Sequence, residues 1–433
     1  MSYIKSELNN SKKFLEENRI AYVQLGYIDV NGVLLGKQIT VERFWETFAG
    51  GIGFCAGTLT WDVQANYFAK DGRAGFNRGA LDAFLYPDLK TIRVLPWKKD
   101  TALILSDVLD YDETPYPIYT RNILKNILAE YQKENLYPQI GAEIEFYLLD
   151  SENKPLFGGR ETYSLRNQNR YSAILDKIQR ALEDLGIKLE SLHLEYGPAQ
   201  IELILKHSDP LTIADNLAAA RNAVQIIARE NGYNATFMPQ PWENESGSGI
   251  HLHQSLIKDG ENLFEKEEQI FEKYVSGLLE LTPDFSAVYN PTVNAYKRLV
   301  AKGFVPSKIS AGYDNRTVLT RLVTAAGGAR AEYRLAAANA NPYLIVAANL
   351  SSGLYGIQND LPKTEKITDN AHEHTECKDI PQTPEQAVEL FENSVIAEKY
   401  FGAEFKKMFS ELIRFDISES LKHIGEWERS RYL

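Results

Sequence analysis

The stretch "GAEIEFYLL", residues 141–149, limits what this chain can fold into more than any other. Apolar residues surround two acids, Glu143 and Glu145, and in a strand residues two apart share a face. Taking two neighbouring carboxylates out of water is costly unless a cation joins them or one binds a proton. The pattern recurs. In "LHLEYGPAQIELIL", Glu195 closes one strand-like run, Gly197-Pro198 breaks it, and Glu202 stands in the next beside Gln200. Glu332 in "RAEYRL" is again an acid among apolar neighbours. One such acid is ordinarily an edge-strand residue or a salt-bridge partner. Five of them point to a common centre.

A histidine row supports that centre. The chain has seven histidines, and "ESGSGIHLHQS" places two of them one residue apart after a Gly-Ser-Gly turn. On a strand His251, His253 and Ser255 stand on one face, with Ile250, Leu252 and Gln254 behind. Alone, the pair reads as a half-buried strand that happens to carry histidines. Beside five carboxylates it reads as part of a ligand set. Carboxylates with a minority of imidazole suit Mg²⁺ or Mn²⁺ rather than thiolate-seeking Zn²⁺, and a two-metal site is expected. By contrast, "KTEKITDNAHEHTECKD" has no framing strands, so its His372, His374 and Cys377 read as a solvated surface loop.

The third component is basic. Arg298, Arg316, Arg321, Arg330 and Arg334 crowd a short segment of a chain whose net charge is −12. Any one could be a solvated surface residue; together, among apolar residues, they read as a clamp for phosphate or carboxylate. Metals and arginines together describe phosphoryl transfer from a nucleotide, which rests mostly on positioning and charge stabilisation. No GxxxxGK[ST] loop or kinase-type glycine loop is present, so the nucleotide fold must be another one.

The rest of the chain frames this chemistry. "AYVQLGYIDVNGVLLGKQITV" alternates around Asn31-Gly32, a strong hairpin signal. Strand-like sequence continues through "TALILSDVLD", and the proline-bearing "DETPYPIY" reads as a connector. Long helical patterns follow from Thr120. A small β-rich unit and a larger α+β unit are expected within the 433 residues, divided as 1–112 and 113–433. The acidic charge argues against nucleic acid as a partner. No apolar run reaches membrane-spanning length, since Asn349 and two serines interrupt "PYLIVAANLSSGLYGI". Two cysteines and a polar amino terminus give the expectation of a reducing, cytoplasmic location.

"GAEIEF", "EYGPAQIE", "GSGIHLHQS", "NAYKRL", "DNRTVLTR", "AEYR" and "NANPYL", in this order, closely resemble the glutamine synthetase family. The resemblance runs from the first hairpin to the closing "EWERSRYL". It implies an α+β fold, a small β-grasp domain followed by a large glutamine-synthetase-type catalytic domain. It also implies a homo-oligomeric ring, a dodecamer of two hexamers, with sites at subunit interfaces. ATP would phosphorylate the γ-carboxylate of glutamate, and an amine would displace the phosphate. By the same resemblance, Glu145, Glu195 and Glu202 hold one metal, and Glu143, His251 and Glu332 the other. His253 and Ser255 face the nucleotide, with Arg316 and Arg321 at its phosphates. Arg298 and Arg334 hold glutamate carboxylates, beside Ser246 and Gly247.

The departures bear on the acceptor. Ammonia-using members end the segment after "YKRL" in Glu-Ala-Pro, whose glutamate captures ammonium; "RLVAKGFVP" has Phe304 there. Their acidic Asp-Gly-Ser-Ser loop is replaced by "GFCAGTLTWD", with Cys55 near the aspartate's place, and their Asn-Gly-Ser-Gly has become Ser246-Gly247-Ser248-Gly249. An apolar ring in place of an anion favours an organic amine, as in γ-glutamylpolyamine and γ-glutamylmonoamide synthetases. The alternatives are ammonia served by another acid such as Asp62, a di-metal phosphohydrolase, or a non-catalytic ring protein.

Overall fold

The computed structural model describes residues 5–159, 161–300, 303–325 and 327–433. Its first sheet is built from the alternating amino-terminal sequence: β1 (Tyr22–Ile28), β2 (Leu34–Thr40), β3 (Ile52–Cys55), β4 (Asp82–Pro87), β5 (Arg93–Leu95) and β6 (Lys98–Leu109). The strand order is β2-β1-β6-β4-β3, with β5 on β6. β1 and β6 are parallel and the other pairs antiparallel, an arrangement that makes β6 the buried central strand. The expected hairpin forms, but Asn31-Gly32 lies in a five-residue connection, 29–33, and not in a two-residue turn. Asp29 enforces this: its carboxylate accepts the Val33 N–H at 2.8 Å, while the Asn31 amide donates to the Trp61 carbonyl at 2.9 Å. Gly32 takes the positive φ (78°) that the turn requires.

The segment 112–119 contains no helix or strand, as its prolines predict, and leads into the helix Thr120–Lys133. The second sheet then follows with β7 (Tyr137–Leu149), β8 (Leu189–Leu194), β9 (Gln200–Ser208), β10 (Asn234–Thr236), β11 (Ile250–Lys258), β12 (Glu261–Asn262), β13 (Ala311–Tyr313), β14 (Thr320–Val323) and β15 (Arg330–Tyr333). Its order is β13-β14-β15-β11-β7-β9-β8. β7 is central, and the helices Thr120–Lys133 and Pro210–Glu230 pack against it. Ala142, Ile144, Phe146 and Leu148 are buried, while Glu143 and Glu145 on the alternate positions keep partial exposure. The acids are therefore offered to one side of a sheet whose other side is core.

The apolar "PYLIVAANLSSGLYGI" forms the helix Pro342–Gln358, buried along almost its whole length. It is apolar all round because it is a core helix. Its Asn349 accepts the Gln254 amide (2.7 Å) and donates to the Ile345 carbonyl (2.9 Å), so the polar interruption is satisfied internally. Asn341 caps the helix by accepting from Tyr343 and Leu344 N–H, and donates to the Asp29 and Val30 carbonyls. One residue thus ties the helix to the first sheet's hairpin. Among the described residues, no helix is long and apolar enough to cross a membrane.

Candidate active site

Strand pairing brings together acids that lie far apart in sequence. Glu145 on β7 stands opposite Glu202 on β9, and Glu202 stands opposite His193 on β8. On the other flank, His251 on β11 is opposite Glu143 on β7. His253 is opposite Glu332 on β15, which in turn pairs with Arg321 on β14. A band of ionisable side chains therefore crosses the sheet from β8 to β14.

These groups contact one another directly. His251 Nδ1 and His253 Nε2 reach the two Glu143 oxygens at 3.1 and 2.9 Å. His193 Nε2 lies 2.9 Å from Glu202 and 3.4 Å from Glu195. Glu332, 1% exposed, is held by Arg334 and by Arg321 (2.8 Å). Three sets have ligand atoms within 4.8 Å of one another: Glu143, His253 and Glu332; Glu143, Glu202 and His251; His193, Glu195 and Glu202. Glu145 is in none of these sets, and its carboxylate accepts the Gly249 N–H at 2.7 Å.

The carboxylates compete for too few counter-charges. Burial, then repulsion from Glu145, pushes the Glu195 carboxyl up to about 7. Glu202 is raised further, by burial and by Glu143, Glu145 and Glu195. Glu143 is the exception: burial works against its charge, but hydrogen bonds from His251 and His253 hold it well below the carboxylate range. Two acids forced toward their protonated forms beside a third that stays ionised describe a site that would gain from a divalent cation. Oxygen and imidazole donors without thiolate match a hard cation.

The acids open into a cleft of about 630 Å³. Glu143, Glu145, Glu195, Glu202, His251, Ser246, Gly247, Arg298, Phe304, Arg316, Arg321 and Arg334 all line it, so most residues singled out in sequence converge here. His253 and Glu332 sit behind this lining through their bonds to Glu143, Arg321 and Arg334. Ser255 stands further along β11, opposite Gln139. Arg330 turns to the His253 ring (Nε to Nδ1, 3.3 Å) and the Gly328 carbonyl, and is not part of the cleft wall. Asp62 is elsewhere: its carboxylate accepts backbone N–H groups of its own loop, and it lines a separate cavity with Asp416. The Gly-Ser-Gly turn is explained by Arg298, which lies against Gly247 and Gly249 so closely that a Cβ at either would collide with it.

The residues missed in sequence are His193, Tyr163, Tyr196 and Glu245, all lining the cleft. Tyr163 stacks on His193 with ring centroids 4.8 Å apart. His193 and Glu195 are two apart, so the alternation that marked Glu143 and Glu145 applied to them also. The segment 363–379 is a largely exposed surface loop, as its polarity suggests, but its two histidines are tied down. His372 bonds to Ser307 and Gly303, His374 bonds to Asp369 and Glu376, and among the described residues neither histidine nor Cys377 joins a metal-competent set.

Comparison with known proteins accords with this geometry. Residues 118–432 match the family description "Glutamine synthetase, catalytic domain". A glutamate–isopropylamine ligase from a Pseudomonas species is 31% identical, covering 99% of this chain and 98% of its own. The glutamine synthetase of Halobacterium salinarum is 32% identical over 97% of this chain and 95% of its own. A solved structure described as a GmaS/ADP complex superposes with a TM-score of 0.87 at 26% identity, covering 97% of this chain and 98% of that one. The chain belongs to the glutamine synthetase family. Within it, this protein is a carbon–nitrogen ligase that joins glutamate to an amine.

Proposed function

We propose that the acceptor is a primary organic amine and the product a γ-glutamylamide. One observation carries this reading. The Phe304 ring, 50% exposed, borders the cleft 5.4 Å from the Tyr196 ring, at the position where ammonia-using members place a carboxylate. Two aromatic faces can bury the carbon chain of an organic amine, apolar surface that ammonium does not have. The relative described as a glutamate–isopropylamine ligase supports the reading.

In the reaction, a γ-carboxylate oxygen of glutamate attacks the γ-phosphorus of ATP and the bond to ADP breaks. The amine nitrogen then attacks the acyl carbon of γ-glutamyl phosphate, the carbon–oxygen bond breaks, phosphate leaves, and the nitrogen loses a proton. Arg298 and Arg334 hold glutamate carboxylates: among the described residues each keeps a buried Nε–H with no hydrogen-bond partner, the kind of donor a carboxylate takes up. Burial pushes Arg298 down to about 10, so it remains charged at neutral pH. Ser246 and Gly247 flank the same substrate. Arg316 and Arg321 steady the transferred phosphoryl group, and His253 and Ser255 face the nucleotide. Glu143, Glu145, Glu195, Glu202, His251 and Glu332 would hold two Mg²⁺ or Mn²⁺ ions, which when bound neutralise phosphate charge. The same reading includes a cytoplasmic ring of subunits and domains at 1–112 and 113–433.

A second reading, with ammonia as acceptor, has one observation in its favour: Glu245 lines the cleft and offers a carboxylate. Initial rates with ammonium, methylamine, isopropylamine, putrescine and aniline, each with ATP and glutamate, decide between them. The organic amines should give the highest kcat/KM; if ammonium does, the protein is a glutamine synthetase and Phe304 only reshapes the pocket.

A further inference from the structure

We propose that His372 is a positioning residue that fixes the acceptor side of the cleft through the backbone of residues 303–307; this rests on the reading of Phe304 as the acceptor wall. The Gly303 carbonyl can only accept, so at 2.9 Å it takes the His372 Nε2–H. Its other nitrogen, Nδ1, is hydrogen-bonded to the Ser307 hydroxyl at 2.6 Å. One imidazole thus spans the segment from just before Phe304 to three residues after it.

The ring is itself held on a rigid mount. His372 lies in the short turn Ala371–Glu373, capped by Asn370, whose side chain accepts the His372 N–H. Ala371 is buried with Val318 and Ile367 in a small apolar cluster separate from the main core. The Ala371 N–H donates to Thr317 Oγ1 (3.0 Å), and Asn315 donates to the Ile367 and Asp369 carbonyls. His374, beside it, pairs with Asp369 and Glu376. The mount is therefore anchored to 315–318, the stretch that carries Arg316 into the cleft.

The base and the tip of the Phe304 segment are held differently. Backbone bonds from Ile309 to Lys378 and from Ile380 to Ser307 secure the base without His372. At the tip, Gly303 is held by His372, and the Phe304 carbonyl accepts from Arg334 at 3.3 Å. Loss of the imidazole should therefore loosen Phe304 and leave the fold intact.

The test compares His372→Ala, His372→Gln, His372→Asn and Ser307→Ala in the full-length protein. Each is assayed for KM of the acceptor that wild type prefers, KM of ATP, kcat and thermal midpoint. His372→Ala should raise acceptor KM roughly tenfold, as loss of two hydrogen bonds implies, with ATP KM within about twofold. Glutamine reaches the Nε2 position and should restore acceptor KM; asparagine reaches only Nδ1 and should not. Ser307→Ala should have the smaller effect. Unchanged acceptor KM in His372→Ala, or acceptor and ATP KM rising together with a lowered midpoint, overturns the proposal. Preference of wild type for ammonium would overturn the amine reading alone, because the role of His372 is judged on whichever acceptor is used.

Discussion

Two regions of this molecule bury clusters of acids, and they resolve the same problem in opposite ways. Between the first sheet and the helices behind the second, Asp88, Asp107 and Asp215 surround Arg121, which is 1% exposed. Arg121 Nε and Nη2 each meet Asp215 at 3.0 Å, and Nη2 also meets Asp88 at 2.7 Å. Lys125 adds a second cation to Asp107, and the Tyr343 hydroxyl donates to Asp215 at 2.6 Å. Every carboxylate there is in direct contact with a cation: Arg121 reaches all three, and Lys125 also reaches Asp107. In the cleft, Glu143, Glu145, Glu195 and Glu202 face imidazoles and one another, and the two arginines closest to the acids are spent on Glu332. A cluster in which each acid meets a cation cements the fold; one whose acids meet mainly imidazoles and each other is built for a charge that arrives from outside.

The widest separation between the two regions should come from metal removal. Chelation should reduce ligation to background and Mg²⁺ or Mn²⁺ should restore it. Glu145→Ala should lose metal binding and turnover together, with the Arg121 cluster untouched. Full ATP-dependent ligation by Glu145→Ala would break the contrast.

Stability should respond in the reverse sense. Removing one partner of a buried ion cluster typically costs about 3–5 kcal/mol, and Arg121→Met should fall in that range in chemical denaturation. Glu202→Gln deletes a carboxylate that its neighbours repel, so the metal-free protein should be equally stable or more so. A loss above about 1 kcal/mol in Glu202→Gln would place the cleft acids in the structural class with the Arg121 set.

A smaller effect concerns the acceptor. Phe304→Glu installs an anion at the cleft mouth and should move the ratio of kcat/KM for ammonium over isopropylamine upward. General-base help is worth about 10²–10⁴-fold when placed well, and a side chain not evolved for the task should reach the lower end. An unchanged ratio would remove Phe304 from acceptor selection.

How much of this was legible in the sequence depends on whether the signal was local. Alternation put Glu143 with Glu145 and His251 with His253, and both pairs emerged on the expected faces. Register between distant strands has no local signature: that His193 meets Glu202, or that Glu143 takes both histidines, follows from β8, β9, β7 and β11 packing side by side. The arginine run was read as one clamp, yet Arg330 turns to the His253 ring and the Gly328 carbonyl while Arg334 lines the cleft and pairs with Glu332. The segment 363–379 is mostly exposed, as its polarity implied; what had no local sign is that its histidine turn bonds to 303–317, some sixty residues earlier in the chain. The Arg121 cluster left no trace, since its acids come from three separate elements and each is unremarkable alone.

The smallest expected effect tests the neutralised cluster by pH. Asp88 lies at the cluster's edge with 19% of its side chain exposed; one oxygen accepts from Arg121 and the other from the Lys90 N–H at 3.2 Å. Burial works to raise its carboxyl, but the charge and hydrogen bond of Arg121 hold it below the ordinary value. An unfolded aspartate titrates near about 3.9, so between the two values the unfolded chain binds more protons and stability rises with pH. The contribution is complete above the unfolded value and is lost as pH falls through the folded one. Asp88→Asn keeps the shape and an oxygen for Lys90 while removing the charge. It should cost about 1.5 kcal/mol at neutral pH, the low end of what a hydrogen bond to a charged group is worth, and the gap to wild type should close as pH falls below the ordinary aspartate range. Denaturation midpoints of both proteins across that range measure it. A gap that stays constant with pH would make Asp88 a packing residue and weaken the claim that this region is held by neutralised charge.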